Sequence, residues 1–178
     1  MNHIVCKILD DLKTGTALEA KDIKEVDIAS SNAVVKIRLL ILWICKSPQR
    51  REHWKRLTTK QLQYDVDTRW NSTYDMLGDA IRSKPQLVQL IKDWPKDLAI
   101  YSLSELDWTF VQQLFDVLKP FNEFTKLVSQ GRPTITTSTG IYFQLSKLLN
   151  MAGRREGVYT TYSISITEAI HGSLQRFE

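Results

Sequence analysis

The chain has little of what secreted, membrane-spanning or metal-holding proteins are built from. Its two cysteines, Cys6 and Cys45, are far apart and form no CxxC pair. That excludes a disulfide framework and gives no zinc site, which needs more ligands at closer spacing. Free, buried thiols in a reducing compartment are expected. The three histidines, His3, His53 and His171, are isolated from any nucleophile or second metal ligand. No phosphate-cradling loop and no G-x-S-x-G elbow occurs among the seven glycines. Met1-Asn2-His3 leads into no apolar h-region, so no signal peptide is read. The longest apolar run, Leu39 to Cys45, is far short of the roughly 18 residues that cross a bilayer. It predicts a core helix in a soluble, intracellular protein with no membrane partner, no small-molecule substrate and no cofactor.

What is present is an ordinary globular composition. Of the 178 residues, 43% are apolar and 25% charged, which suits a packed core and excludes whole-chain disorder. The length suits one domain over 1–178. A net charge of +4 and a pI near 9.0 permit a polyanionic partner without requiring one.

Periodicity predicts helices and no sheet, hence an all-α multi-helix bundle. Residues 2–13 place Ile4, Val5, Ile8, Leu9 and Leu12 on one face, and 14–32 read as a mobile acidic loop. Ser31 or Asn32 caps a helix that carries the apolar run to about Cys45. Ser47-Pro48 restarts the chain with proline at the first helical position. Asp67 or Thr68 caps a further helix, with Trp70 in its first turn. Lys84-Pro85 and Trp94-Pro95 are breaks. Ser104 with Asp107 opens the longest helix, whose apolar stripe runs from Val111 and Leu114 to Leu127 and Val128. Pro120 should kink it. Two more helices follow, one through Phe143, Leu145 and Leu149, the other through Ile166 and Ile170.

The strongest chemical signal is charge. Between Val34 and Trp70 nine Lys/Arg face three acids, Glu52, Asp65 and Asp67. Arg51 and Lys55 lie one helical turn apart, and with Arg50 they can line a face toward phosphates. A solvated basic face is the plain alternative. Trp70 directly follows Arg69, which can set a stacking plane beside a phosphate-binding cation; a core tryptophan fits the same spacing. Asp65 and Asp67 lack a third acid to hold two divalent ions. Asp67 is more economically a helix cap, and no metal site is assigned.

The string Asp67-Thr68-Arg69-Trp70-Asn71-Ser72-Thr73-Tyr74-Asp75-Met76-Leu77 closely resembles the D-x-x-T-R-W-N-S-T-y-x-M-L signature of hAT (hobo/Ac/Tam3) transposases. Ser47-Pro48-Gln49-Arg50 is similar to the family's S-P-q-R segment. Leu118-Lys119-Pro120-Phe121 with Thr125, Ser129 and Pro133-Thr134 is similar to its L-x-P-F … T … S … P-T run. Order and spacing agree over roughly residues 34–140.

The resemblance implies an all-helical insertion, which in the family interrupts an RNase H-like core with an Asp-Asp-Glu triad. It also implies a DNA-hairpin-stabilising role for Trp70, with Arg69 beside it. Transposon-end or hairpin-like DNA, a full-length transposase and a nuclear location are the implied partners and setting. The family's zinc finger and both catalytic aspartates have no counterpart here. His3 aligns ambiguously with a family histidine, and Glu178 lacks the motif of the catalytic glutamate. The expectation is a DNA-binding transposase fragment without catalytic residues of its own. The alternatives are a protein-interaction module, docking on a full-length transposase or self-associating, and a decayed copy.

Overall fold

The structure is a computed structural model that describes residues 2–12, 32–64, 70–130 and 135–175. All regular structure among the described residues is helical, so the fold is the expected all-α bundle. In chain order the helices are α1 (Asn2–Asp11), α2 (Ala33–Cys45), α3 (Pro48–Leu57), α4 (Trp70–Arg82), α5 (Lys84–Asp93) and the short α6 (Pro95–Leu98). A 3-10 turn, Ala99–Tyr101, precedes α7 (Glu105–Gln130) and α8 (Ile135–Gly153). A second 3-10 segment, Gly157–Thr161, leads to α9 (Ile164–Gln175). The loop expected at 14–32 lies, apart from Asn32, outside the described residues, as do the Asp67 and Thr68 caps.

The chain groups into two compact units. One joins Met1–Lys13 to Gln113–Glu178, and the other is Thr14–Gln112. In the first, α9 packs against both α1 and α8. Val5, Ile8, Leu118, Ile166 and Ile170 are fully buried there. The end of α8 carries paired bonds from Glu156 N–H to the Met151 carbonyl (2.8 Å) and from Arg155 N–H to the Ala152 carbonyl (3.1 Å). These form a Schellman closure with Arg155, at φ 56°, in the left-handed position usually given to glycine. Arg155 also donates to the Thr160 carbonyl at 2.9 Å, which holds the turn that glycine would otherwise serve.

The second unit is built round α2. Nine of its 13 residues are buried, as expected of a helix apolar on nearly every side. Asn32 caps it by accepting from the Val34 amide at 2.9 Å. Around it lie α3, α4 and the Ala99–Tyr101 turn, the turn contributing Ile100 and Tyr101 against Val35 and Leu39. Ser104 and Asp107 form the expected reciprocal cap of α7: the Ser104 amide donates to Asp107 Oδ2 (2.8 Å), and the Asp107 amide to Ser104 Oγ (3.1 Å).

Two expectations change. Helix α7 is one 26-residue element that includes Pro120. Its stripe is buried at Val111, Leu114, Leu118 and Phe121, yet Leu127 and Val128 are 50% and 38% exposed. Periodicity marks a face but does not supply the element that covers it. The thiols were expected inside, and both Cys6 and Cys45 are exposed.

Candidate nucleic-acid interface

The basic segment folds as two helices meeting at a tight corner, Lys46-Ser47. The proline at the start of α3 fixes the restart, and Ser47 takes extended backbone angles at the N-cap. Its hydroxyl makes no capping bond to the free amides and instead donates to Gln49 Oε1 at 3.0 Å.

The corner brings the two arginines of α3 back onto the end of α2. Arg50 donates to the Trp43 carbonyl at 3.2 Å, and its guanidinium lies 3.9 Å from the centre of the Trp43 ring. Arg51 donates to the Cys45 carbonyl at 3.1 Å. The last carbonyls of a helix have no partner within it and carry partial negative charge, so two guanidinium groups there both satisfy and neutralise them. Arg51 stays exposed and keeps further N–H donors.

Lys55, one turn further along α3, is exposed and its side chain makes no hydrogen bond or ion pair with the described residues, and the Lys46 and Arg56 side chains share that state. Arg38, counted in the basic stretch, is only 1% exposed, so it presents no charge to a partner at the surface.

The far end of α3 is closed by Trp54, which is 5% exposed and donates from Nε1 to the Lys60 carbonyl at 3.1 Å. Thr58 leaves the helix in extended conformation, and its hydroxyl accepts from the Lys60 amide at 3.1 Å. Lys60 Nζ donates to the Arg82 carbonyl at 2.7 Å, which ties the segment to the end of α4. These bonds hold residues 58–62 beside α3 and leave an open groove of about 510 Å³ between that segment, α3 and the end of α2.

On the other side of α3, His53 Nε2 lies 2.9 Å from Asp93 Oδ2 at the end of α5. Hydrogen bonds from His53 and then Gln89 hold the Asp93 carboxyl below the usual carboxylate range. The His53 ring meets Trp94 edge-on at 6.1 Å, and Trp94 meets Trp43 edge-on at 5.4 Å. Arg50, Trp43, Trp94, His53 and Asp93 thus form one continuous run. Sequence reading missed it: His53 looked isolated because its partner lies forty residues away.

Of the predicted contact residues, the structure brings Arg50, Arg51 and Lys55 together on α3. Trp70 opens α4 and is 7% exposed, as a core tryptophan would be. Arg69 lies outside the described residues. Lys46 and Arg56 were not singled out, although each stands next in sequence to a corner or contact residue. Among the described residues no three His, Cys, Asp or Glu side chains converge as metal ligands. No helix there is long and apolar enough to cross a membrane.

An all-helical fold carrying a proline-started basic helix and the T-R-W-N-S-T string defines the helical domain of an hAT-type transposase. Residues 22–117, more than half of the chain, match the family model of the ZBED1 RNase-like helical domain, and the chain belongs to that family. A Zea mays protein named as an AC transposase is 33% identical over 106 residues, covering 56% of this chain and 13% of that protein. A Talaromyces stipitatus protein named as the transcriptional regulator tpeD is 32% identical over 145 residues, 78% of this chain and 16% of that protein. A second maize protein, named as an AC9 transposase, is 36% identical over 73 residues, 37% of this chain and 9% of its own length. The chain therefore spans a small part of the relatives it matches. No solved structure gives a significant match.

Proposed function

We propose that this transposase-derived helical domain binds DNA through its phosphates, in the nucleus, without cutting strands by itself. The observation that carries the reading is the corner between α2 and α3, where the side chains of Lys46, Lys55 and Arg56 stand exposed beside Arg51 with no partner among the described residues. Unpaired surface cations gather phosphates and release their counterions, an attraction that needs no base contact. Arg50 supports the corner by capping α2 and stacking on Trp43. Arg69 and Trp70 supply a second contact at distorted or hairpin ends. With the Trp70 ring 7% exposed, stacking there requires the start of α4 to open. The relatives' names as transposases and as a transcriptional regulator support DNA as the partner and the nucleus as the setting.

Salt dependence tests the reading. Four cations meeting four phosphates give a slope of log K against log salt of about −3.6, a loss of about 150-fold between 50 and 200 mM. A flat profile would refute phosphate binding. Trp70→Phe, which keeps an apolar ring in place, should weaken binding to hairpin ends and leave plain duplex binding unchanged. Equal loss on both would remove Trp70 from the interface.

A second reading rests on a different surface. Phe143, Tyr142 and Leu127 are 67%, 54% and 50% exposed, more apolar surface than a free-standing helix pair needs to show. It makes the domain a docking module for a full-length transposase or for its own copy. Light scattering after size exclusion separates the two: a clean monomer at high concentration argues against self-association.

A further inference from the structure

The groove beside α3 has a composition of its own. Its floor is apolar, formed by Ile44 and Trp54, 3% and 5% exposed, together with Leu62. Its rim holds three cations, Arg51, Lys55 and Lys60, and among the described residues no carboxylate lines it. Thr58, Thr59 and Gln61 add hydrogen-bonding groups between floor and rim. At about 510 Å³ it lies within the size range of pockets that bury small organic ligands.

The rim cations are available. Lys55 has no partner among the described residues, Arg51 spends one guanidinium nitrogen on the Cys45 carbonyl, and Lys60 spends one donor on the Arg82 carbonyl. A cationic rim over an apolar floor matches an occupant that is flat and uncharged at one end and anionic at the other. A nucleotide is built that way, with its base and phosphate joined by one sugar. A base within a duplex is paired and stacked on both faces, so only an unpaired base can reach the floor.

Resting on the DNA-binding reading above, we infer that this groove takes one unpaired nucleotide of a DNA strand. The base lies over Ile44, Trp54 and Leu62, and the phosphate sits on Arg51, Lys55 and Lys60. The site is separate from Trp70, which does not line it. An acidic peptide would satisfy the same cations but would leave the apolar floor to whatever side chain followed, and it becomes the competing outcome of the test.

Cys45 lines the groove and is exposed, which provides a direct reporter. Burial pushes its thiol up, an effect Arg51 partly offsets, so alkylation is followed at mildly alkaline pH. In a Cys6→Ser background, a thymidine decamer should slow alkylation of Cys45 by N-ethylmaleimide about tenfold when nine-tenths of the protein is occupied. Lys55→Ala should weaken decamer binding, read by anisotropy, about tenfold. A disulfide adduct placed on Cys45 should block binding, and reductant should restore it, showing that the fold survived.

Equal protection by a fully paired duplex overturns the requirement for an unpaired base. Equal protection by a ten-residue glutamate peptide overturns the nucleotide assignment. No protection at concentrations where anisotropy shows the decamer bound overturns the groove and leaves DNA binding standing. Failure to bind any DNA overturns both.

Discussion

Replacing Lys46, Lys55 and Arg56 together by alanine should remove most of the electrostatic affinity for DNA while leaving the fold unchanged. All three are exposed and their side chains make no hydrogen bond or ion pair with the described residues, so each substitution should alter stability by no more than about 0.5 kcal/mol. With Arg51 as the remaining contact, the slope of log K against log salt should fall from about −3.6 to about −0.9. The wild-type protein would lose about 150-fold in affinity between 50 and 200 mM salt, and the variant only about 3.5-fold. The two should therefore differ most at low salt and converge as salt rises. Fluorescence anisotropy with a labelled duplex of about 20 base pairs, titrated at four or five salt concentrations, measures both slopes, and a thermal melt confirms equal stability. Parallel slopes would show that these three side chains touch no phosphate. The basic corner would then be a solvated face, and any DNA contact would lie elsewhere.

Further outcomes follow from other parts of the molecule. Trp54→Phe removes the bond to the Lys60 carbonyl while keeping a ring in the core, and should cost about 1–2 kcal/mol, seen as a lowered midpoint of unfolding. An unchanged midpoint would mean that water replaces the indole. Because the folded-state Asp93 carboxyl titrates below its unfolded value of 3.8, its contribution is present above that pH and is lost as pH falls through the folded value. Urea midpoints should therefore drop less on acidification in Asp93→Asn than in the wild type, and identical acid profiles would refute the His53–Asp93 tie. All five tryptophans lie within Thr14–Gln112, so their fluorescence reports that unit alone, whereas far-UV circular dichroism reports every helix. If 1–178 folds as one domain, the two signals should melt together; separated midpoints would make the two units independent folders.

Much of the fold is legible before any coordinates. Apolar periodicity, Ser47-Pro48, Lys84-Pro85 and the Ser104–Asp107 pair place helices α2 to α5 and α7 where they occur, because caps and prolines act within a turn or two of chain; the short α6 begins where Trp94-Pro95 reads only as a break. The T-R-W-N-S-T string identifies the family for a similar reason: it is contiguous. Local chemistry also locates the cations of α3, since charge is read directly from side-chain type.

What those cations face is another matter. Arg50 and Arg51 turn back to cap α2, Arg38 is buried, and the side chains of Lys55, Lys46 and Arg56 have no partner among the described residues. The sequence lists these residues alike, because availability depends on which carbonyl or ring the corner brings within 3 to 4 Å. The His53–Asp93 tie and the groove walled by residues 44–62 arise in the same way, from helices and returning segments whose meeting no local pattern encodes. The stripe of α7 shows the converse. Its spacing is set by the helix period, while burial at Leu118 and exposure at Leu127 depend on where a covering element ends. Sequence alone determined the helices, the family and the sign of the charge. Only the tertiary structure decided which charges and which apolar faces remain unspent, because packing is a property of neighbours distant along the chain.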